Sequence, residues 1–376
     1  MSQHQSRPSR RRWSITVWLI VACCAVFVLD SLLTPSLPAQ WIFLSQRQVM
    51  DASTEGASFR VSPIEPLRSR TANGRVVQAP RGSGTGVQLV STVTGGREVV
   101  VAERTYVGTP FFQKWLYFST STALVTWSKE FGLRGFEFWR FIGFQFCHAN
   151  MSHLLFNMLA LWFFGPIVEH ALGRKRFLAF YLTCGIAGAL LYLLLNAAGS
   201  AAGDLFGPGT RLPGFLFNNP NMPLVGASAG IFGVLIAAAR YVPNATVLLF
   251  FVIPMRLSTM AYGLVVIAVA TILFASLGIN LPFFSLPTEN AGGETAHLGG
   301  AMAGWYFARR PHHLSDFFDF LGRFDPWSNT RRAKQRAQSQ PGVQAEVDRI
   351  LDKIRQHGLG SLTAQERETL RQASSH

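Results

Sequence analysis

Long apolar runs, broken by short polar loops, are the feature that most limits how this chain can fold. Six such runs span residues 15–29, 151–171, 177–197, 226–241, 258–277 and 295–308. A helix needs about 20 mostly apolar residues to cross the hydrocarbon core of a bilayer. Backbone polar groups must be satisfied inside each segment there, and an α-helix does this. The sequence therefore predicts an all-α membrane protein with a bundle of six transmembrane helices.

The composition is typical of a membrane protein, and the distribution of charge indicates which partners it contacts. The 376 residues are 49% hydrophobic and 14% charged, whereas soluble domains carry about 25% charged residues. The net charge of +14 comes from basic residues in the N-terminus, the loops and the C-terminal tail. This distribution favours contact with membrane lipids and argues against nucleic acid as a partner. The four cysteines have no metal-type spacing, so we expect no disulfide, no metal ion and no other cofactor.

The basic residues also predict how the helices are oriented. Those at positions 10–12, 174–176, 240, 256 and 309–310 fall on one side of the membrane if six helices alternate in direction. The opposite loops, 199–223 and 280–293, contain only Arg211. Because positive charge marks the cytoplasmic side, we expect a multi-pass cell-membrane protein with both termini in the cytoplasm. A cleaved signal peptide is the weaker interpretation of residues 15–29, since no clear small-residue cleavage site follows them.

The chain divides into six predicted parts. They are a basic cytoplasmic N-terminus (1–14), a first transmembrane helix (15–34), an extracytoplasmic insertion (35–137), a membrane core (138–313), a basic linker (314–342) and a cytoplasmic helical tail (343–376). Short β-branched stretches at 76–77, 86–90 and 98–101 predict strands in the insertion. Residues 247–255 are apolar but bounded by proline, which predicts a re-entrant or loop segment. In the tail, Thr363 followed by Glu366 predicts the start of the second helix of a hairpin.

Four polar side chains fall at one predicted depth, just below the outer surface. Ser228 opens the fourth apolar run, and His297 lies near the outer end of the sixth. His153 and Asn157 lie one helical turn apart near the outer end of the second run. Polar groups inside a bilayer are costly, so those that occur are usually paired and often functional. The grouping therefore marks a candidate site.

These residue types predict a nucleophile with its base and its oxyanion donors. A neutral imidazole within reach activates a serine hydroxyl, which assigns the base to His297. The side chains of His153 and Asn157, with the backbone N–H of Ser228, are donors for the oxyanion that forms in acyl transfer. The nearest acid, Glu294, is placed in the outer loop rather than in the bundle. The sequence therefore predicts a Ser–His dyad with no third acid.

Each of these residues also has a structural interpretation when it is taken alone. Serine between small residues is common where transmembrane helices pack closely, and a buried histidine is more often structural than catalytic. His153 and Asn157 are, with equal weight, hydrogen-bonding residues between helices. Small residues at every fourth position, as at Gly300 and Gly304, predict close approach of the fourth and sixth runs.

Five motifs occur in the order and spacing of one known family. They are Trp139-Arg140, His148-x4-His153-x3-Asn157, Glu169-x3-Gly173, Gly226-Ala227-Ser228-Ala229-Gly230 and Ala296-His297-x2-Gly300. Together they resemble the rhomboid family of intramembrane serine proteases, and the resemblance covers roughly residues 137–310 and the first helix. It implies a serine endopeptidase that cleaves transmembrane segments of membrane-protein substrates near the outer face.

The resemblance also implies a role for each site residue. Ser228 would be the nucleophile, His297 the general base, and His153 and Asn157 the oxyanion donors. Phe232 stands where many members have a tyrosine against the catalytic imidazole, so it keeps the ring without the hydroxyl. The other residues with an implied supporting role are Gly226, Gly230, Trp139, Arg140, Glu169 and Gly300.

Two other functions are alternatives to the protease. A catalytically inactive rhomboid-like protein would bind membrane clients without cutting them, but such relatives typically lack the serine, the histidine or both. Both Ser228 and His297 are present here. A transporter is the weaker interpretation, because internal repeats and midplane ionisable residues are missing from the sequence.

Overall fold

The structure of this chain is a computed structural model. It describes residues 13–34, 40–48, 59–66, 69–70, 76–77, 84–94, 97–124, 126–128, 132–207, 210–249, 252–279, 290–314 and 341–374. Two compact units are distinguished, Met1–Leu314 and Ser315–His376. The predicted N-terminus before residue 13 and nearly all of the predicted linker lie outside the described residues.

The fold is mostly helical. Within the described residues the helices are α1 (Ile15–Leu33), α2 (Phe111–Leu116), α3 (Thr120–Ala123), α4 (Arg140–Gly143), α5 (Met151–Leu172), α6 (Arg174–Phe206), α7 (Ser228–Tyr241), α8 (Leu257–Leu277), α9 (Ala291–Arg309), α10 (Pro341–His357) and α11 (Ala364–Ser374). Four of them, α1, α5, α6 and α8, are long and apolar enough to cross a membrane. Helix α7 is apolar but has only 14 residues, so the count of six spans stays a prediction.

The largest sheet is antiparallel and lies between α1 and α2 in the chain. Its strands are β1 (Gln40–Gln48), β2 (Phe59–Val61), β6 (Gly84–Thr94) and β7 (Arg97–Thr109) in the order β1-β7-β6-β2, with β3 (Glu65–Pro66) also paired to β6. A separate pair joins β4 (Ser69–Arg70) to β5 (Val76–Val77). The strands predicted at 76–77, 86–90 and 98–101 fall within β5, β6 and β7. Strands are therefore present in the insertion, while its place outside the cell stays a prediction.

Helix α6 extends beyond the predicted span, 177–197, at both ends. It begins at Arg174 and has 33 residues, so the basic residues 174–176 form its first turn and the predicted loop at 199–223 is helical up to Phe206. Gly173, with φ of 77°, ends α5 and reverses the chain within one residue. At the far end, a Cβ on Gly199 would lie 1.9 Å from the Leu216 carbonyl oxygen. The loop that follows α6 therefore packs closely against Gly199, within the part of the helix that extends beyond the predicted span.

Two further boundaries differ from the prediction. The segment predicted at 247–255 contains two strands instead, β10 (Thr246–Leu249) and β11 (Ile253–Arg256), which pair antiparallel. Two more short strands, β8 (Thr126–Ser128) and β9 (Gly132–Arg134), also pair with each other. Helix α9 begins at Ala291, four residues before the predicted start at 295. The earlier start matters for the site because Glu294 becomes part of the helix.

Helices α6, α7 and α9 pack against one another in the interior of the larger unit. Their closest approaches occur at glycine: a Cβ on Gly304 would lie 2.5 Å from the Gly233 Cα, and one on Gly188 would lie 2.5 Å from the Ala296 carbonyl oxygen. Small side chains let helix backbones meet in this way. The predicted close approach of the fourth and sixth apolar runs is therefore present, as α7 against α9.

The C-terminal unit contains the predicted helical hairpin. Gly358, with φ of 76°, separates α10 from the segment that leads to α11. Thr363 and Glu366 form the predicted reciprocal cap: the Thr363 N–H donates to Glu366 Oε2 at 2.9 Å, and the Glu366 N–H donates to Thr363 Oγ1 at 3.3 Å. Ile350 and Leu362 are buried in this unit.

Candidate active site

Ser228 is the first residue of α7 and follows a sharply turned loop. Gly226 has φ of 134°, a conformation that residues with a side chain rarely adopt. Its N–H donates to the Phe144 carbonyl oxygen at 3.0 Å. A Cβ on Gly226 would lie 2.8 Å from His153 Cε1 and 3.5 Å from Ser228 Oγ. Glycine at this position lets the chain turn and lets the serine hydroxyl and the His153 ring approach the same point.

The side chains of Ser228 and His297 form a hydrogen bond between α7 and α9. Ser228 Oγ lies 2.7 Å from His297 Nε2. For activation of the nucleophile, the hydroxyl donates and Nε2 accepts, so the proton of the neutral imidazole must be on Nδ1. The two residues predicted as nucleophile and base are thus in direct contact.

Glu294 corrects the prediction that the nearest acid lies in the outer loop, away from the base. It lies within α9, one turn before the histidine, and its Oε2 is 3.0 Å from His297 Nδ1. The earlier start of α9 puts the two residues three positions apart on one helical face. The structure therefore contains a Glu–His–Ser chain of hydrogen bonds where a pair was expected.

His153 and Asn157 lie on the wall of the cavity that contains Ser228 and His297. Asn157 is only 8% exposed, yet its Nδ2 has no hydrogen-bond partner among the residues that the structure describes. A buried donor without a partner is rare in native structures and calls for an explanation. The explanation that fits its location is a group that enters the cavity and accepts from it.

The cavity beside Ser228 has a volume of about 430 Å³. The Phe232 ring forms part of its wall and stacks on the His297 imidazole, with centroids 4.2 Å apart and planes 6° from parallel. This parallel stacking opposes rotation of the imidazole out of its plane, and it needs no hydrogen bond from Phe232. Phe232, which stands where many rhomboids are expected to have a tyrosine, therefore still contacts the His297 imidazole.

Gly230 and Gly300 hold α7 in place rather than contact the cavity. A Cβ on Gly230 would lie 2.8 Å from the Tyr181 ring of α6, and one on Gly300 would lie 1.9 Å from the Ala229 carbonyl oxygen. Any larger residue at 300 would therefore push α9 away from the first turn of α7. That turn carries the serine, so its position depends on this contact.

Trp139 and Arg140 tie the segment around α2 to α4. Trp139 Nε1 donates to the Trp115 carbonyl oxygen at 3.0 Å. Arg140 Nη1 donates to the carbonyl oxygens of Lys114 and Tyr117, at 2.9 and 2.8 Å. Neither residue lines the cavity, so their supporting role stays a prediction.

Glu169 holds the start of α1 against the far end of α5. Its carboxylate accepts from the backbone N–H groups of Ile15 and Thr16, at 2.8 and 2.9 Å, and from Thr16 Oγ1 at 2.8 Å. The carboxylate satisfies donors that a helix N-terminus leaves free. It lies twelve residues along α5 from Asn157, roughly 18 Å at the rise of a helix, so it is not part of the cavity.

Sequence reasoning missed several residues that line the cavity. Tyr192 of α6 and Asn218 of the following loop form part of its wall, together with Phe144 and Met222. Neither Tyr192 nor Asn218 belongs to a motif, and both are brought there by the packing of α6 beside α9. No signal in the sequence identified them, whereas the spacing of Glu294 and His297 was a signal that was available.

Fold and site together define a helical membrane protein that carries a hydrogen-bonded serine–histidine pair beside a cavity among its helices. Comparison with known families identifies the class more closely. Residues 135–310, a little under half of the chain, match the model of the Rhomboid domain, so this part of the chain is similar to the rhomboid family. Residues 333–376 match a separate family of unknown function, DUF6576.

Individual relatives carry the same family name. "Rhomboid protein 1, mitochondrial" of Saccharomyces cerevisiae is 32% identical over 173 residues, which is 45% of this chain and 41% of the relative. "Rhomboid protease GluP" of Bacillus subtilis is 30% identical over 50% of this chain and 29% of its own length. "Putative rhomboid protease YdcA" of the same organism is 36% identical over 25% of this chain and 53% of its own. The chain thus spans between about a third and a half of the relatives it matches.

Proposed function

We propose that this protein is an intramembrane serine endopeptidase that cleaves transmembrane segments of other membrane proteins near the outer face. The observation that carries the proposal is the 2.7 Å hydrogen bond between Ser228 Oγ and His297 Nε2 beside a cavity. The match of residues 135–310 to the Rhomboid domain, with relatives named as proteases, supports the same reaction. In this proposal, Ser228 and His297 carry out the proton transfer, and other polar groups at the cavity bind the oxyanion.

The proposed chemistry begins with proton transfer from Ser228 to His297. Ser228 Oγ attacks the scissile carbonyl carbon as its proton passes to Nε2, and a tetrahedral intermediate with a negative oxygen forms. The imidazolium then donates that proton to the leaving nitrogen as the C–N bond breaks, leaving an acyl-enzyme on Ser228. In the second half of the reaction, the oxygen of a water molecule attacks the ester carbon while His297 takes its proton. The imidazolium then gives this proton to Ser228 Oγ as the ester C–O bond breaks, and the carboxylic acid product is released.

The oxyanion would be bound by His153, Asn157 and the Ser228 backbone N–H. The unpartnered Nδ2 of Asn157 supports this assignment, because the donor is unused in the resting protein. The Ser228 N–H lies at the start of α7, where the helix dipole favours negative charge. One such donor typically contributes roughly 3 kcal/mol to the transition state.

The substrate and the membrane arrangement follow from the same proposal. A helical substrate has its carbonyl groups bonded within the helix, so a segment must become extended before Ser228 can reach one. The six-span arrangement, with both termini in the cytoplasm and the insertion at 35–137 outside, places the cavity toward the outer face. Water would then enter from that side.

The test is cleavage of a reporter transmembrane substrate by the purified full-length protein in liposomes. Wild type should cut it, while Ser228→Ala and His297→Ala should each reduce the rate by about 10⁴-fold or more. A matched control is Ser152→Ala, which removes an exposed hydroxyl of α5 that donates to Oδ1 of Asn150, the residue before the helix. This variant should leave cleavage unchanged.

A fluorophosphonate probe gives a readout that does not depend on the choice of substrate. It should label wild type and Ser152→Ala but neither Ser228→Ala nor His297→Ala. Equal background from wild type and the Ser228 variant, in both labelling and cleavage, would refute the protease and favour a rhomboid-like protein that binds its clients without cutting them.

A further inference from the structure

The carboxylate of Glu294 sits on the side of the imidazole opposite the serine. Its Oε2 lies 3.0 Å from His297 Nδ1, while Nε2 of the same ring lies 2.7 Å from Ser228 Oγ. The side chains of Glu294 and His297 are 17% and 14% exposed. The contact is therefore largely shielded from water, which strengthens a charge-assisted hydrogen bond.

Helix capping does not account for this carboxylate. Acidic residues are favourable in the first turn of a helix, but a cap would bond the free backbone N–H groups there. Within the described residues, the Glu294 side chain forms its hydrogen bond with the His297 ring. Asn290, the residue before α9, makes no side-chain capping bond either. The carboxylate is directed at the imidazole and not at the helix end.

This contact decides which nitrogen of His297 carries the proton. A carboxylate only accepts hydrogen bonds, so its partner Nδ1 must be protonated. In the neutral ring Nε2 is then the acceptor, which is the form that takes the proton from Ser228. With Phe232 stacked on its face, the imidazole is fixed by three contacts, each from a different direction.

We propose that Glu294 is a positioning residue that sets the tautomer and orientation of His297 and stabilises its charged form. The proposal rests on the proposed function and replaces a Ser–His dyad with a Glu–His–Ser chain. When Nε2 receives the proton from Ser228, the positive charge lies next to the Glu294 carboxylate. The carboxylate stays ionised throughout, because both protons remain on the imidazole until one passes to the leaving nitrogen.

The experiment compares Glu294→Ala, Glu294→Gln and Glu294→Asp with wild type in liposomes, and it measures kcat, KM and the rate of fluorophosphonate labelling. In serine proteases with a fully buried acid, its amide variant lowers kcat by about 10⁴-fold. Because this pair is partly exposed, water replaces some of the interaction, and we expect a fall in kcat and labelling of about 10- to 100-fold. KM should change less than about 2-fold, since the carboxylate does not touch substrate.

The aspartate variant separates positioning from simple stability. Glu294→Asp keeps the charge and should recover most of the lost kcat, whereas Glu294→Gln should not, because its amide N–H can donate to Nδ1 and favour the wrong tautomer. Thr295→Val is the matched control for the helix: it removes a bond from Thr295 Oγ1 to the Ala291 carbonyl oxygen in the same turn. It should leave kcat within about 3-fold of wild type.

A readout independent of cleavage keeps this proposal apart from the protease proposal. Side-chain ¹⁵N spectra of histidine-labelled protein, with His297 assigned from the His297→Ala variant, should show protonated Nδ1 in wild type and a mixture of tautomers in Glu294→Gln. Unchanged tautomer and kcat in Glu294→Gln would overturn the inference. So would a loss of kcat that Thr295→Val reproduces. A wild type that shows protonated Nδ1 but neither cleaves nor labels would refute the protease while leaving the positioning contact intact.

Discussion

Within the described residues, two glutamates lie in the first turn of a helix, and their carboxylates bond different kinds of partner. Glu294 is near the start of α9 in the membrane unit, and Glu366 is near the start of α11 in the C-terminal unit. Both are mostly shielded from solvent. The same residue type in the same local setting serves the helix in one case and a neighbouring side chain in the other.

Glu366 is saturated by partners from its own hairpin. It accepts from the N–H and hydroxyl of Thr363 and from Lys353 Nζ, which lies 3.0 Å from both carboxylate oxygens. Arg349 adds an ion pair at 3.3 Å. The Thr363 N–H, followed by Lys353, lowers the pKa of the Glu366 carboxyl from its ordinary 4.5 to about 2. Its role is complete within the hairpin.

Glu294, in contrast, bonds a ring that has a second partner. The Glu294 carboxylate does not cap the helix end. It bonds Nδ1 of His297, whose Nε2 bonds Ser228 Oγ. The comparison teaches that a carboxylate at a helix start is a cap when it bonds the helix N–H groups. It becomes a candidate for a site when it leaves them and bonds a titratable side chain instead.

Helices α9 and α11 are held in different ways, α9 by close backbone packing and α11 by ion pairs and a cap. The largest effect on activity is expected from a substitution that disturbs the packing of α9. Helix α9 is held by backbone contact with α7, so Gly300→Ala would put a Cβ 1.9 Å from the Ala229 carbonyl oxygen. Overpacking of this kind costs about 1–3 kcal/mol. A shift of about 1 Å between Ser228 and His297 should lower kcat by about 100-fold or more. Thermal unfolding in detergent and reporter cleavage measure both effects.

The control for this substitution is another helical glycine. Gly203 of α6 has nothing within 4 Å of the position that a Cβ would take. Gly203→Ala should therefore raise stability by up to about 1 kcal/mol and leave cleavage unchanged. Equal behaviour of the two variants would show that α7 and α9 are not in backbone contact.

A loss of activity of comparable size, without the loss of stability, is expected for one of two buried asparagines, of which one has partners for its side chain and the other has an unpartnered Nδ2. Asn196 accepts from Thr120 Oγ1 at 2.6 Å and donates to the Asn218 carbonyl oxygen at 2.8 Å. Asn157 has the unpartnered Nδ2. Asn157→Ala should lower kcat by about 10²- to 10³-fold with little change in unfolding temperature. Asn196→Ala should instead cost about 1–3 kcal/mol of stability, because it leaves two partners unsatisfied. The reverse pattern would remove Asn157 from the proposed oxyanion site.

The smallest effect on activity is expected at Glu366. Glu366→Gln should leave kcat unchanged, while hydrogen exchange of residues 364–374 in the full-length protein becomes faster because the hairpin loses its charge network. This result would be the opposite of that expected for Glu294→Gln. A fall in kcat would mean that the C-terminal unit influences the site.

The pH dependence of the hairpin follows from the same carboxylate. Because its pKa is lowered on folding, the stabilisation is fully present above about pH 4.5 and is lost as the pH falls toward 2. ¹³C spectra of the Glu366 carboxyl should show a midpoint near 2 in wild type. Thr363→Val, which removes only the hydroxyl contribution, should move it upward.

Local signals in the sequence were sufficient for much of the fold. Apolar runs of the right length predict α5 and α8 to within one residue at each end. Thr363 and Glu366 predict the start of α11, since a capping box is a contact between residues three apart. The glycine spacing on the fourth and sixth runs predicts that α7 and α9 meet, because small residues on one face permit it.

Boundaries that depend on distant parts of the chain could not be predicted in this way. Helix α6 extends into the predicted loop where Gly199 packs against Leu216, which lies 17 residues further on. Tyr192 and Asn218 reach the cavity only through the packing of α6 and its loop. The hydrophobic periodicity of a single segment carries no information about contacts with distant parts of the chain.

The sequence by itself determined that this is a helical membrane protein and which polar residues its apolar segments carry. Hydrophobic length and residue spacing are local properties, and they suffice for that. Only the tertiary structure decided that Ser228 and His297 lie within hydrogen-bond distance and that Glu294 bonds the opposite side of the imidazole. These are contacts of about 3 Å, set by where α9 begins and how closely it packs on α7, and such distances depend on every helix that packs around them.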